Sequence, residues 1–192
     1  TNPGVAEVCN DGVDNDCSGD APECGIPDPG SSADANLSFL STSTSDDAGL
    51  SIAASGDFDG DGNTDLVLGA PGASTTGGAW VLLGGVSGAY TTPSAAGRVV
   101  DSGNTGRLGA SLSAVGDLDG DGYDELLVGC DACEPTGLGT DIGGVHLVMG
   151  PISSAIDVAS AADVTWTGSD NYSGFGLSMS STHDIDSDGV VD

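Results

Sequence analysis

Three stretches of this chain have the residue types and spacing to hold a metal ion. Gly56-Asp57-Phe58-Asp59-Gly60-Asp61-Gly62-Asn63-Thr64-Asp65 returns as Gly116-Asp117-Leu118-Asp119-Gly120-Asp121-Gly122-Tyr123-Asp124-Glu125. It returns again as His183-Asp184-Ile185-Asp186-Ser187-Asp188-Gly189-Val190-Val191-Asp192. With Asp57, Asp117 and Asp184 as position 1, carboxylates stand at positions 1, 3, 5 and 9. These are Asp57, Asp59, Asp61 and Asp65; Asp117, Asp119, Asp121 and Glu125; and Asp184, Asp186, Asp188 and Asp192. Alternate spacing lets a curled loop aim such groups at one point. Glycine at position 6 allows the sharp turn, and the backbone carbonyl at position 7, from Asn63, Tyr123 or Val190, can join them. An all-oxygen donor set is hard-cation chemistry, and Ca²⁺ is the expected ion. Positions 1, 3, 5 and 9 of the three loops hold twelve of the 30 acidic residues. Gathered without a cation, these would repel one another and some would be pushed up in pKa. The competing reading, Asp/Gly-rich surface turns that hold no ion, fits one such loop better than three in register.

A helical calcium hand needs a glutamate at position 12 and a helix on each side. Here position 12 is Leu68 or Val128, inside the runs Leu66-Val67-Leu68 and Leu126-Leu127-Val128. Short β-favouring runs on both sides predict that each loop joins two strands. The expected fold class is therefore all-β.

Two Lys+Arg stand against the 30 acidic residues, a formal net charge of -28. Nucleic acid and anionic membrane surfaces are poor partners, because the chain would repel their phosphates, and no nucleic-acid partner is expected. Such a charge could mark a disordered tail, but 38% of the residues are hydrophobic and they fall in regular short runs. The 33 glycines and 4% aromatic content predict many tight turns around a core of Val, Leu, Ile and Ala. No apolar run approaches the roughly 20 residues that cross a bilayer, so direct membrane insertion is not expected. The absence of a basic, apolar leader fits a processed extracellular chain.

The cysteines agree with an oxidising compartment. Zinc would want four soft ligands or a histidine set that two histidines cannot supply. Disulfides Cys9–Cys17 and Cys130–Cys133 are expected. A redox Cys-x-x-Cys is the weaker reading, because Cys130 follows a strand and does not open a helix. Cys24 is left over, whether free, joined to another chain or joined to a residue outside this sequence. Asp11, Asp14, Asn15, Asp16 and Asp20, beside the first cysteines, are further candidate ligands. That segment resembles the short Cys/Asp-rich metal-binding motif of secreted and surface proteins of myxobacteria. Its alternative is a disulfide-closed acidic turn without metal.

The elements around the loops repeat. Gly49, Gly109 and Gly176 each lie 8 residues before position 1, while successive loops are 60 and 67 residues apart. A constant internal offset with a varying total length is expected of a structural repeat with insertions in its outer turns. Strands are predicted at Leu37–Leu40, Gly49–Ala53, from Asp65 to Gly69 and Gly78–Gly84. Their second-repeat counterparts are Gly109–Ser113, Leu126–Gly129 and Gly144–Gly150, and a third repeat is placed from Val164. The predicted divisions are a Cys/Asp-rich cap at 1–26, a linker at 27–34, repeats at 35–98 and 99–163, and a partial repeat at 164–192.

Phe175-Gly176, the Asp-rich loops and Gly69-Ala70-Pro71 together resemble the FG-GAP repeat of integrin alpha-subunit propellers and of many bacterial surface proteins. In the earlier repeats Ala48-Gly49 and Leu108-Gly109 replace the Phe-Gly pair, and the second has Gly129-Cys130-Asp131 in place of Gly-Ala-Pro. The resemblance implies four-stranded antiparallel blades of a β-propeller, with calcium in the loop joining the first two strands. Seven blades are usual there, so this chain holds an incomplete ring. It implies a calcium-stabilised extracellular or cell-surface module, bacterial in origin and structural or adhesive in role, with protein or glycan as ligand. Later blades of the same polypeptide, or other copies of the chain in a filament, are the expected partners. An accessory propeller domain of a larger secreted enzyme is the alternative.

No enzyme constellation is legible. There is no Gly-x-Ser-x-Gly elbow, and the loop carboxylates are too alike to serve as distinct acid and base. His146 reads as a strand side chain, His183 as the neighbour of a loop, and Trp80 and Trp166 as core.

Overall fold

The short apolar runs beside the acidic loops suit strands, because Val and Leu at alternate positions pack one face of a pleated sheet. In the computed structural model they are strands. It describes residues 37–41, 44–84, 88–91, 97–100, 106–134 and 138–181. The chain divides into two units, Thr1–Ser38 and Phe39–Asp192, and nearly all described residues lie in the second. In chain order the elements are β1 (Leu37–Leu40), β2 (Ser51–Gly56), β3 (Asp65–Gly69), β4 (Ala79–Leu82), β5 (Gly88–Thr91), β6 (Gly97–Val100), β7 (Leu108–Gly116), β8 (Glu125–Cys130), β9 (Gly144–Val148), β10 (Ala155–Asp157), the single-turn helix α1 (Val158–Ala161) and β11 (Val164–Thr167).

Two larger sheets carry the repeats. The first runs β10-β6-β4-β3-β2 and the second β11-β9-β8-β7. Their pairings are antiparallel except at β10, which joins β6 in parallel with Ile156 opposite Val99. The acidic loops connect β2 to β3 and β7 to β8, as expected. The fold is all-β with almost no helix, and the described sheets do not close into a ring.

Two expectations need correction. Val164–Thr167, read as the opening of a third repeat, is the outer strand of the second sheet, with Thr165 opposite His146 and Trp166 opposite Val145. Spacing alone cannot distinguish the last strand of one repeat from the first of the next. Trp166 is consequently not core: it is 46% exposed on that outer strand, whereas Trp80, on inner β4, is 3% exposed against Ala70, Ala73 and Phe39.

The two sheets share one apolar core that includes Phe58, Val67, Val81, Leu108, Leu112, Leu126, Val128 and Ile152. Their approach depends on residues without side chains. The Gly78 N–H donates to the Leu108 carbonyl (2.8 Å), and Ser51 Oγ donates to the Gly109 carbonyl (2.6 Å). A Cβ on Gly109, whose φ is +85°, would sit 2.3 Å from the Gly78 oxygen. One repeat later Ser111 Oγ donates to the Gly176 carbonyl (2.6 Å), and a Cβ on Gly176 would sit 2.2 Å from the Gly144 oxygen. Matching parallel bridges, Gly77 to Leu108 and Gly143 to Phe175, complete the correspondence. The Phe175-Gly176 segment thus docks on the second sheet as β7 docks on the first.

Gly49 offers a control, since it also has a positive φ (+90°) but nothing within 4 Å of an added Cβ. Gly49→Ala and Gly109→Ala should share a left-handed backbone penalty of about 1–2 kcal/mol. Gly109→Ala should lose about 1–3 kcal/mol more through overpacking. Urea unfolding midpoints of the two variants measure the difference, and equal midpoints would contradict the close approach.

Candidate metal centre

Each of the two described acidic loops is shaped by its own backbone amides. In the first, Asp57 Oδ1 accepts N–H groups from Gly60 (2.8 Å) and Asp61 (3.1 Å), and Asp57 Oδ2 accepts that of Gly62 (2.8 Å). Asp59 Oδ1 accepts from Asp61 N (3.2 Å), and Asp61 Oδ1 from Asn63 N (2.8 Å). The second loop repeats all five bonds. Asp117 accepts from Gly120 (2.7 Å), Asp121 (3.1 Å) and Gly122 (3.0 Å), Asp119 from Asp121 (3.1 Å), and Asp121 from Tyr123 (2.9 Å). Such short-range Asp-to-backbone bonds are what favour Asp in turns. Position 6 must turn through positive φ, and Gly62 (+84°) and Gly122 (+94°) do so.

These bonds gather the carboxylates. Oxygens of Asp57, Asp59 and Asp61 lie within 4.8 Å of one another, as do those of Asp117, Asp119, Asp121 and Glu125. Asp65, predicted as the position-9 ligand of the first loop, is not in the first group. Its Oδ2 accepts Phe58 N–H and its Oδ1 accepts Gly84 N–H, at 2.8 and 2.7 Å. Glu125 is one methylene longer. Its Oε2 takes the Leu118 N–H while its buried Oε1 has no hydrogen-bond partner. The Gly150 backbone amide favours the charged form of Glu125.

Burial pushes both position-9 acids up from the ordinary carboxylate pKa. For Asp65 the Gly84 and Phe58 amides oppose this, and the charges of Asp59 and Asp57 add to it. For Glu125 the Leu118 amide opposes it, and Asp119 and Asp117 add to it. Asp61 moves the other way, held down by the Asn63 side-chain amide at 3.0 Å.

The donor set fits a hard divalent cation. It is all oxygen, it is negatively charged, and in the second loop it includes a fully buried acid with an unsatisfied oxygen. Asn63 and Tyr123 occupy position 7, where only the backbone carbonyl is wanted. The Leu118, Phe58 and Gly84 amides that hold the position-9 acids were not legible in the sequence. A glycine after the third strand, at Gly84 and Gly150, was the available signal.

Cys130 and Cys133 form a disulfide, as expected, with Cα atoms 5.5 Å apart. Arg107 lies beside it, donating its backbone N–H to Cys130 Sγ (3.3 Å) and pairing with Asp131 (3.3 Å). His146 is buried on β9 with Nδ1 3.1 Å from Thr165 Oγ1. Asp184, Asp186, Asp188, Val190 and Asp192 lie outside the described residues. So do Cys9, Cys17, Asp11, Asp14, Asn15, Asp16 and Asp20.

The FG-GAP repeat model matches residues 48–82 and 108–130. Each span contains one described acidic loop with the strands that flank it. These two segments are similar to FG-GAP repeats, as the sequence resemblance had it. Neither span includes the Cys/Asp-rich segment at 1–26.

A buried acid whose folded pKa is raised binds its proton more tightly folded than unfolded. Its contribution is fully present below the unfolded pKa and is lost as pH rises through the raised folded value. In chelator, thermal stability should therefore fall as pH climbs from the ordinary carboxylate range through the raised pKa of Glu125. Glu125→Gln should flatten that slope and raise the midpoint at neutral pH. Melting curves between pH 4 and 7 test this, and an unchanged slope in the variant would contradict it.

Proposed function

We propose that this chain is a calcium-stabilised extracellular module of the adhesion type, built from propeller-blade repeats. The observation that carries the reading is the pair of loops with the same five backbone bonds, each converging its acids, together with the unsatisfied buried oxygen of Glu125. Calcium would be held by Asp57, Asp59 and Asp61 in the first loop and by Asp117, Asp119, Asp121 and Glu125 in the second, with the position-7 carbonyls. By the same spacing, Asp184, Asp186, Asp188 and Asp192 would hold it in the third. The ion supplies charge neutralisation and cross-linking. The similarity to FG-GAP repeats, which are typical of extracellular adhesion proteins and typically non-catalytic, supports the setting. Among the described residues no helix is long and apolar enough to cross a membrane.

Further repeats of this type are the partners the surface favours. On β7 the residues facing the first repeat, Leu112 and Ala114, are buried at 8% exposure each. Their β2 counterparts begin with Ile52, 57% exposed, beside Leu50 at 58%. An apolar row covered in one repeat and bare in the preceding one suits packing against another repeat, from the same polypeptide or from a second copy.

Calcium should bind weakly, at roughly 10⁻⁴ to 10⁻³ M, as in extracellular modules. At ten times Kd each occupied site adds about 1.4 kcal/mol, and about 2–4 °C accompanies each kcal/mol in a chain of this size. Chelation should therefore lower the melting temperature by about 3–6 °C per site, and Asp59→Asn or Asp121→Asn should each remove part of that difference. A melting curve indifferent to both calcium and chelator would refute the reading.

A further inference from the structure

Asp124, at position 8 of the second loop, reaches across to the first. Its Oδ2 accepts the backbone N–H of Asp57 (2.8 Å), and its own N–H donates to the Asp57 carbonyl (2.9 Å). Asp57 is position 1 of the first loop, and its carboxylate holds three of that loop's amides. Asp124 stands between Tyr123 and Glu125, positions 7 and 9 of its own loop. Two further contacts follow the same line. The Tyr123 ring lies over Gly60, where an added Cβ would be 2.8 Å from Cε1, and the Phe58 carbonyl accepts the Ile152 N–H at 2.9 Å. The third loop has Val191 at position 8, so the side-chain half of this pairing has no chemical counterpart there.

We infer that Asp124 is a positioning residue that couples the two loops, so that a divalent cation held in one raises the affinity of the other. The inference rests on the cation reading above. That reading has support beyond the gathering of acids, since Glu125 is fully buried, belongs to the second cluster and has an oxygen without a hydrogen-bond partner. A cation that fixes Asp57 fixes both backbone groups bonded to Asp124, and with them the residues on either side that serve the second ion. The second ion then has less backbone freedom to remove, which is positive coupling without a change of fold. By linkage the effect is reciprocal. Filling the first loop also weakens the negative potential at the second, an opposing effect. Salt screens that term over about 8 Å at 0.15 M, whereas the paired backbone bonds remain.

Calcium titration of the 192-residue chain in 0.15 M salt, followed by the amide resonances of Gly62 and Gly122, reads each loop separately. Disabling the first loop with Asp59→Asn and Asp61→Asn should weaken calcium binding at Gly122 about 5-fold, the lower end of ordinary couplings. The same weakening should persist in the Asp124→Asn background, where an acceptor oxygen remains, and vanish in Asp124→Ala. A Gly122 titration indifferent to the first loop would overturn the coupling. An equal weakening with Asp124→Ala would overturn the role of Asp124. Should the alanine variant fail to fold, exchange of the Asp57 amide decides instead. With the first loop disabled, calcium in the second should protect that amide, and no change in protection would overturn the inference. If neither glycine responds to calcium in the unsubstituted chain, the cation reading itself fails, and that result is distinct from two loops that bind independently.

Discussion

Backbone amides set the shape of the acidic loops, and much of the rest of the structure is arranged around that. Asp57 and Asp117 each accept three N–H groups from the residues that follow, which curls the chain and turns later carboxylates toward the same point. Alternation then places positions 3 and 5 on the inside of the curl. This gathering is electrostatically unfavourable by itself, because like charges a few ångströms apart repel. Three carboxylates face one another in the first loop and four in the second, one of them buried. The second loop therefore gathers more like charge than the first.

Position 9 shows how one methylene changes a site. Asp65 and Glu125 both open the strand after their loop, and both are buried by the sheet that follows. Asp65 is short, and both of its oxygens are taken by the Phe58 and Gly84 amides, so it braces the loop. Glu125 is also anchored, by Leu118, but its other oxygen has no partner, and the side chain reaches the acidic group. One motif position thus serves as a brace in one repeat and as a candidate ligand in the next.

Packing of one repeat on the next depends on absent side chains. Gly78 with Gly109, and Gly144 with Gly176, bring backbones close enough that a Cβ would collide with a carbonyl. Ser51, two residues after Gly49, donates its hydroxyl to the Gly109 carbonyl, and Ser111, two residues after Gly109, donates to the Gly176 carbonyl. The step is the same twice, from the first sheet to Gly109 and from the second to Gly176. β10 adds a different tie. It leaves the segment after β9 and pairs in parallel with β6, covering the outer edge of the first sheet.

Much of this was legible in the chain itself. The acid spacing, the glycines at position 6 and the constant offset of eight residues depend on local chemistry, and local chemistry is what a sequence displays. The strands beside the loops followed from short Val/Leu runs, and the Cys130–Cys133 link from proximity in sequence. Other features required the tertiary structure, because they join residues far apart in the chain. Val164–Thr167 belongs to the second sheet because β9 is its hydrogen-bond partner, and pairing between distant strands leaves no mark on spacing. Trp166 is half-exposed for the same reason, since an outer strand has a neighbour on one side only among the described elements. Asp65 is braced by the Gly84 amide, which folds back from beyond the third strand of its repeat. Asp124 meets Asp57 across 67 residues, and only the packing of one sheet on the next brings them together.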